Sequence, residues 1–351
     1  MMDSPARDFR DDRTSPDPFQ VTATTPDEAD RVTGFLSSIF QAPLDARFIS
    51  PGIFHWKYFA RRPDWDQPRS YVLKEDDALV AHIGVWPTRF RGPSGELTGM
   101  HTLDWAANRE RPGTGSRLRL EVEELADFGI GIGGSVAAQM ARAKLGYRTW
   151  RQMSILVRVV RPRLKFRSTS GGSQLRRFGR LGRDLVHAAR SFSAARSGLS
   201  AQVVESFDDS LDKVASLAER GEVRAYRTAA VLNYFLSCPD ANGIGIVFCD
   251  RSALCGYGLL TRLGGQARIA ALWVRGDWES AYQLATEIAA KDPNVYEMIA
   301  GASSAREELA LVRNGYRVRN VKSVDIRDAR GMIRSGSAPC VQLADSDAFF
   351  L

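Results

Sequence analysis

At 351 residues, 44% hydrophobic and 25% charged, the chain has the make-up of two globular domains of about 150 residues each, not of a disordered chain, a fibre or a disulfide-dense miniprotein. No apolar run approaches the roughly 20 residues of a membrane-spanning helix, and the Asp-, Pro- and Arg-rich opening lacks the plan of a secretory signal, so a cytoplasmic protein is expected. The net charge of +7 is concentrated: eleven basic residues and one acid, Asp184, lie between Arg158 and Arg196, which leaves the rest of the chain slightly acidic.

Residues 1–18 carry hardly any apolar side chains and read as a disordered tail. From Asp27 to Phe40 the spacing of Val32, Phe35, Leu36, Ile39 and Phe40 predicts an amphipathic helix, broken by Pro43 and Pro51-Gly52 before the aromatic group Phe54, Trp56, Tyr58 and Phe59. Ser70–Lys74 and Ala78–Phe90 predict a hairpin around Glu75-Asp76-Asp77, and Glu96–Ala107 a third strand. A glycine turn, Arg111-Pro112-Gly113-Thr114-Gly115-Ser116, then leads into a helical run with Leu118, Leu120, Val122 and Leu125. A short strand (Gly129–Ile132), an Ala-rich helix (Val136–Leu145) closed by Gly146, and a strand over Tyr147–Val160 complete the first half.

The second half repeats this order. Gly243–Cys249 and Ala253–Leu263 form a hairpin, Ala267–Val274 a third strand, Asp277–Lys291 a helix, Tyr296–Ala300 a strand and Ser304–Asn314 a helix stopped by Gly315. Tyr58 to Gly146 spans 88 residues and Tyr234 to Gly315 spans 81, a near match that points to a duplicated unit. The expected boundaries are a tail over 1–18, one domain over 19–160, a basic amphipathic connector over 161–200 and a second domain over 201–351.

Hairpin, long third strand, glycine turn, helix, short strand, helix and closing Gly-Tyr together resemble the GNAT superfamily of acyl-CoA-dependent N-acyltransferases. The residues that carry the likeness are Asp104-Trp105, Gly113 to Leu118, Ser135, Ala138 and Leu145-Gly146-Tyr147, echoed by Ser304 and Asn314-Gly315-Tyr316. The resemblance implies an α/β fold of two tandem GNAT-like domains, each a mixed, mostly antiparallel central sheet flanked by helices. It is similar in this to bacterial acyltransferases of polysaccharide or cell-envelope metabolism.

The resemblance also implies a site. Gly113, Thr114, Gly115, Ser116 and Arg117 would hold the pyrophosphate of acetyl-CoA or another acyl-CoA, because orphan amides and the helix dipole at a helix start attract anions. Asp104 would accept the amine proton, and backbone amides near Ala106 would polarise the thioester carbonyl. Strand alternation puts Asp104 and His101 on opposite faces unless a bulge intervenes, and His101 reads as a packed core histidine. The family's leaving-group tyrosine is replaced by Arg142, with Leu311 in the second half; Tyr147 is the substitute considered. Glu110 stands where an Arg or Gln is usual, and Trp273 to Asp277 replaces the glycine turn in the second half, so the first half is expected to bind the donor. Trp56 and Tyr58 read as a core plug ahead of an acceptor-pocket lining.

Four cysteines without ligand spacing predict no metal. The acceptor is expected to be a small molecule or glycan precursor bearing an amine, such as an amino sugar. In the basic stretch, Leu175, Phe178, Leu181, Leu185, Ala189 and Phe192 fall at helical spacing opposite arginines. An interdomain connector is ranked first, peripheral contact with the inner membrane through 174–196 second, and nucleic acid last, since neither stacking aromatics nor a docking motif is present. Two alternatives stay open: a catalytically inactive GNAT-like scaffold, and an aminoacyl-tRNA-dependent peptidyl transferase of the related two-domain type.

Overall fold

A computed structural model describes residues 18–92, 95–168, 174–190, 198–215, 223–333 and 339–349, with backbone only at 174–177 and 187–190. The expected tail, save Pro18, lies outside the described residues, as do 169–173 and 191–197 of the expected connector.

Phe19–Ala23 (β1) is an edge strand that its sequence did not announce. Ala29–Phe40 (α1) buries Val32 and Leu36 as its spacing predicts, but leaves Phe40 exposed. Pro51 does not break the chain; it opens Pro51–Tyr58 (α2), because proline in a first helical turn gives up an N–H that would have no helical partner. Ser70–Glu75 (β2), Ala78–Gly92 (β3), Gly95–Ala107 (β4), Thr114–Glu123 (α3), Phe128–Ile132 (β5), Val136–Lys144 (α4) and Arg148–Val159 (β6) then follow the predicted order. The same logic at Pro162 opens Pro162–Ser168 (α5) within the expected connector, and Gln174–Arg190 (α6) follows it.

The second half comprises Leu199–Val204 (β7), Ser210–Ala215 (α7), Val223–Ala225 (β8), Ala229–Leu236 (α8), Ile244–Asp250 (β9), Ala253–Leu263 (β10), Gln266–Val274 (β11), Trp278–Ala290 (α9), Glu297–Ala302 (β12), Ala305–Arg313 (α10), Arg317–Arg327 (β13) and Pro339–Cys340 (β14). Side-chain caps explain where three of these helices begin: Thr228, Asp277 and Ser304 each accept a first-turn amide.

One sheet runs through the whole molecule in the order β1-β2-β3-β4-β5-β13-β6-β12-β11-β10-β9-β7. The two halves therefore exchange their last strands. β13, from the second half, pairs with β5 of the first (Ile132 opposite Val324), while β6, from the first, pairs with β12 of the second (Ser154 opposite Ala302). β6 and β13 lie antiparallel between the two halves. The exchange is sealed by apolar packing: Trp56 of α2 stacks on Tyr234 of α8 at 4.8 Å, with Trp86, Phe235 and Phe349 against them. The two side chains also bond reciprocally, the Trp56 indole donating to the Tyr234 carbonyl at 3.1 Å and the Tyr234 hydroxyl to the Trp56 carbonyl at 2.8 Å.

The segment 339–349 returns across both halves. Cys340, Val341, Leu343, Ala344 and Phe349 are buried, and the Trp86 indole donates to the Ala344 carbonyl at 2.9 Å.

Candidate functional site

β4 and β5 pair in parallel over only three residues, Gly99 to His101 against Phe128 to Ile130, and then diverge. Just past that point β4 leaves its ladder with β3. His82 lies opposite Ala106 and Gly84 opposite Leu103, so Asp104 and Trp105 share one place in the register. This bulge puts Asp104 at φ 46, a left-handed conformation that costs a non-glycine residue about 1–2 kcal/mol.

Contacts from three sides hold it there. Within the carboxylate, Oδ2 takes the ammonium of Lys57 and the hydroxyl of Tyr58, the latter at 2.6 Å. Burial and that same carboxylate push the Tyr58 hydroxyl well above its usual range, so it remains a donor. The Asp104 carbonyl accepts from His82 Nδ1 at 3.0 Å, while His82 Nε2 takes the Ser70 hydroxyl at 3.0 Å; burial pushes this ring down to about 4, so it is neutral. Gly84 makes the arrangement possible, because a Cβ at that position falls 2.2 Å from the Tyr58 oxygen.

The divergence opens a cavity of about 560 Å³. Its walls include His101, Asp104 and Trp105 of β4, Arg119 of α3, Ser135 and Arg142 at α4, and two residues remote in sequence, Lys322 of β13 and Asp347 near the carboxy terminus. The bulge is thus what brings His101 and Asp104 to one cleft. His101 is as expected a packed ring: 7% exposed, its Nδ1 donates to the Ile130 carbonyl at 3.1 Å, and burial pushes it down to about 3. Trp56 lies in the core, whereas Tyr58 does more than plug the sheet: its hydroxyl is part of the support beneath Asp104.

Arg142, which the resemblance sets against the family's tyrosine, is buried. It runs under β5, where Gly131 has no Cβ to obstruct it, and pairs at 2.8 Å with Asp325, which the exchanged strand β13 supplies. Tyr147 does not line the cavity. Its hydroxyl is bound to Glu123 and, at 2.7 Å, to Arg119, and burial pushes it up, so the structure gives it no path to a leaving thiolate. Ala106 rejoins the ladder opposite His82 and is 3% exposed; the residues freed from that ladder are Asp104 and Trp105, two and one before it.

The glycine turn begins α3 as predicted. Gly113 is the cap residue at φ 90, a conformation natural to glycine, and the Arg117 amide returns to its carbonyl at 2.9 Å. Among the described residues no protein acceptor takes the amides of Gly115 or Ser116. None of Gly113 to Arg117 lines the cavity, but Trp105 links turn and cleft: its indole donates to the Gly115 carbonyl at 2.9 Å. Thr114 bonds back to the Arg111 carbonyl at 2.7 Å, and Arg117 pairs with Glu121 at 2.9 Å. Arg111, beside Glu110, pairs with Glu75 at 2.5 Å. Sequence reasoning missed Lys322 and Asp347, which line the cleft, and Lys57, which is buried against Asp104; all three come there only through tertiary structure.

Among solved structures, the chain is similar to a GCN5-related N-acetyltransferase from Anabaena variabilis ATCC 29413, with TM-score 0.59 and 12% identity over 89% of this chain and 73% of that one. It is similar to Saccharomyces cerevisiae N-myristoyltransferase with bound myristoyl-CoA, with TM-score 0.56 and 12% identity over 89% and 83%. A tandem GNAT protein from the clavulanic acid biosynthesis pathway aligns with TM-score 0.53 and 10% identity over 88% and 98%. The fold is that of a tandem GNAT. No protein-family profile and no curated protein sequence matches the chain.

In this GNAT fold the two halves differ at the equivalent cleft. β11 and β12 also pair in parallel only briefly, from Gln266 to Ile269, and then separate. There the gap is filled. The Gln342 side chain takes the Leu272 amide at 3.3 Å and donates to the Leu272 carbonyl at 2.7 Å, mimicking a missing strand. Leu343 packs against Gly301, where a Cβ would stand 2.9 Å from its side chain.

Proposed function

We propose that the protein is an acyl-CoA-dependent N-acyltransferase that uses the cleft of its first half, with acetyl-CoA as donor and an amine, such as that of an amino sugar or envelope precursor, as acceptor. One observation carries the assignment to this half: the strand divergence is open in the first half and closed by Gln342 and Leu343 in the second. The Gly115 and Ser116 amides, at the positive end of α3, suit the donor's pyrophosphate. The cleft suits its thioester arm, and Asp104 with Trp105 forms the floor where the acyl group would lie. Fold neighbours that include a GCN5-related N-acetyltransferase and an N-myristoyltransferase holding myristoyl-CoA support an acyl-CoA donor.

Substitution Ser116→Asp tests the reading by opposing two effects. A carboxylate in the first helical turn favours the helix by about 0.3–1 kcal/mol, so thermal stability holds or rises. The same charge repels a pyrophosphate at the free amides, so calorimetry with acetyl-CoA shows a dissociation constant at least tenfold weaker, about 1.4 kcal/mol. Absence of heat with both acetyl-CoA and myristoyl-CoA for the unaltered protein leaves an inactive scaffold as the better description.

The second proposal concerns where the protein works. α6 is held to the body by Asp184, which meets Arg317 of β13 at 3.1 Å and Lys165 at 3.7 Å. Its Phe178, Leu185 and Val186 are nevertheless 61%, 42% and 50% exposed, beside the exposed Arg180 and Arg183 and near Arg163 and Arg167 of α5. Apolar side chains among exposed arginines favour an anionic membrane surface over a merely structural connector. No helix is long and apolar enough to cross a membrane. Vesicles containing phosphatidylglycerol are expected to co-sediment the protein, those of phosphatidylcholine alone not, and Phe178→Ser with Leu185→Ser to release it. Equal sedimentation with both vesicles refutes surface binding of this kind.

A further inference from the structure

Two carboxylates line the open cleft, Asp104 and Asp347, and their surroundings differ. Asp104 is committed: Lys57 and Tyr58, both on α2, donate to its Oδ2, so it sits in an ion pair with a buried ammonium. Asp347 has no side-chain donor bonded to it among the described residues; its own neighbour Ala348 supplies a backbone amide. The charged and titratable groups around it are Lys322 on β13, Lys57 and Tyr58 on α2, Asp104 on β4 and Arg268 on β11.

The segment carrying Asp347 is firmly placed. Ser346 Oγ donates to the Leu343 carbonyl at 3.2 Å, Arg268 donates to the Ala348 carbonyl at 3.1 Å, and Thr261 to the Phe349 carbonyl at 3.3 Å. Asp347 therefore faces the cleft from a fixed backbone. We infer that Asp347, delivered to the first-half cleft by the carboxy-terminal segment, is the proton acceptor for the attacking amine, and that Asp104 is a positioning residue that holds the β4 bulge. This rests on the acyltransfer reading above.

The chemistry balances on this residue. The amine nitrogen bonds to the thioester carbonyl carbon and loses its proton to the Asp347 carboxylate. The C–S bond breaks, and the proton leaves Asp347 for the thiolate or solvent, giving amide and free thiol. Burial, followed by the negative charge of Asp104, pushes the Asp347 carboxyl up, while Lys322 and Lys57 oppose this. A carboxylate raised toward working pH is the better base.

The test compares the full chain with Asp347→Asn, reading acetyl-CoA affinity by calorimetry and thiol release across pH with glucosamine, with ethanolamine and with no amine added. The variant is expected to bind acetyl-CoA within twofold of the unaltered protein, lose about 10²–10⁴ in kcat, and lose the acidic limb of the kcat profile. Folding has its own readout, with the opposite sign. Ionising a carboxyl raised by burial costs the folded state stability as pH rises through its shifted value, and Asn is spared that cost. Asp347→Asn should therefore melt no lower than the unaltered protein at pH 8, with the difference shrinking toward pH 4.

An unchanged kcat with its acidic limb intact overturns the inference. So does a protein that binds acetyl-CoA yet releases no thiol above the blank in any of the three assays. A protein that binds no acyl-CoA overturns the acyltransfer reading itself.

Discussion

Asp345→Ala lowers the unfolding free energy by about 3–5 kcal/mol, read from the denaturant midpoint, because it strands a cation in the interior. Asp345 and Arg227 meet at 2.5 Å with side chains only 2% and 3% exposed. The same carboxylate takes the Thr88 hydroxyl at 3.1 Å and the Gln342 amide at 2.7 Å, tying the terminal segment to β3. Removing one partner leaves Arg227 desolvated and unpaired, which is worse than removing both. The double variant Arg227→Met with Asp345→Ala should therefore recover part of the loss, and a double variant no more stable than the single one would show that the pair is not what the site depends on.

Cutting the chain at a protease site engineered within 191–197 leaves two fragments that co-elute as one particle and part only in denaturant. β6 belongs to the upstream fragment but lies between β12 and β13 of the downstream one, and β13 in turn lies between β5 and β6. Separation therefore breaks four strand pairings, that of β3 with β8 included, and the Trp56–Tyr234 stack together. For the same reason the uncut protein melts in a single calorimetric transition despite its length. Two fragments that elute apart and remain folded, or two resolved transitions, would contradict the exchange of strands.

The parts of this fold that sequence made legible are those with local causes. Alternation marked both hairpins and both third strands, side-chain caps marked the starts of α9 and α10, and Gly146 and Gly315, at φ 88 and 76, marked where helices stop. Pro51 was read only as a breaker, yet it also begins a helix, as Pro162 does, because proline suits a first helical turn. The pairing of β5 with β13 left no signature, since strand partners distant in sequence share no local pattern. The site divides in the same way. The glycine turn could be found beside a recognisable strand, and Asp104 followed from the resemblance that strand and turn carry. Lys57 sits among core aromatics, and Asp347 in a short polar tail, and only the bulge and the returning terminal segment bring them together.

The exchanged strands also dictate when this protein can become itself. A ribosome emits the chain from its amino terminus, at about 5–20 residues per second, and β5 and β6 emerge long before β12 and β13 exist. For that interval both strands are open edges, able to zip onto the wrong neighbour or onto another nascent copy. Neither half can reach its final arrangement first, so maturation waits until β13 has been made, and a premature stop before β13 yields a product for chaperones and proteases.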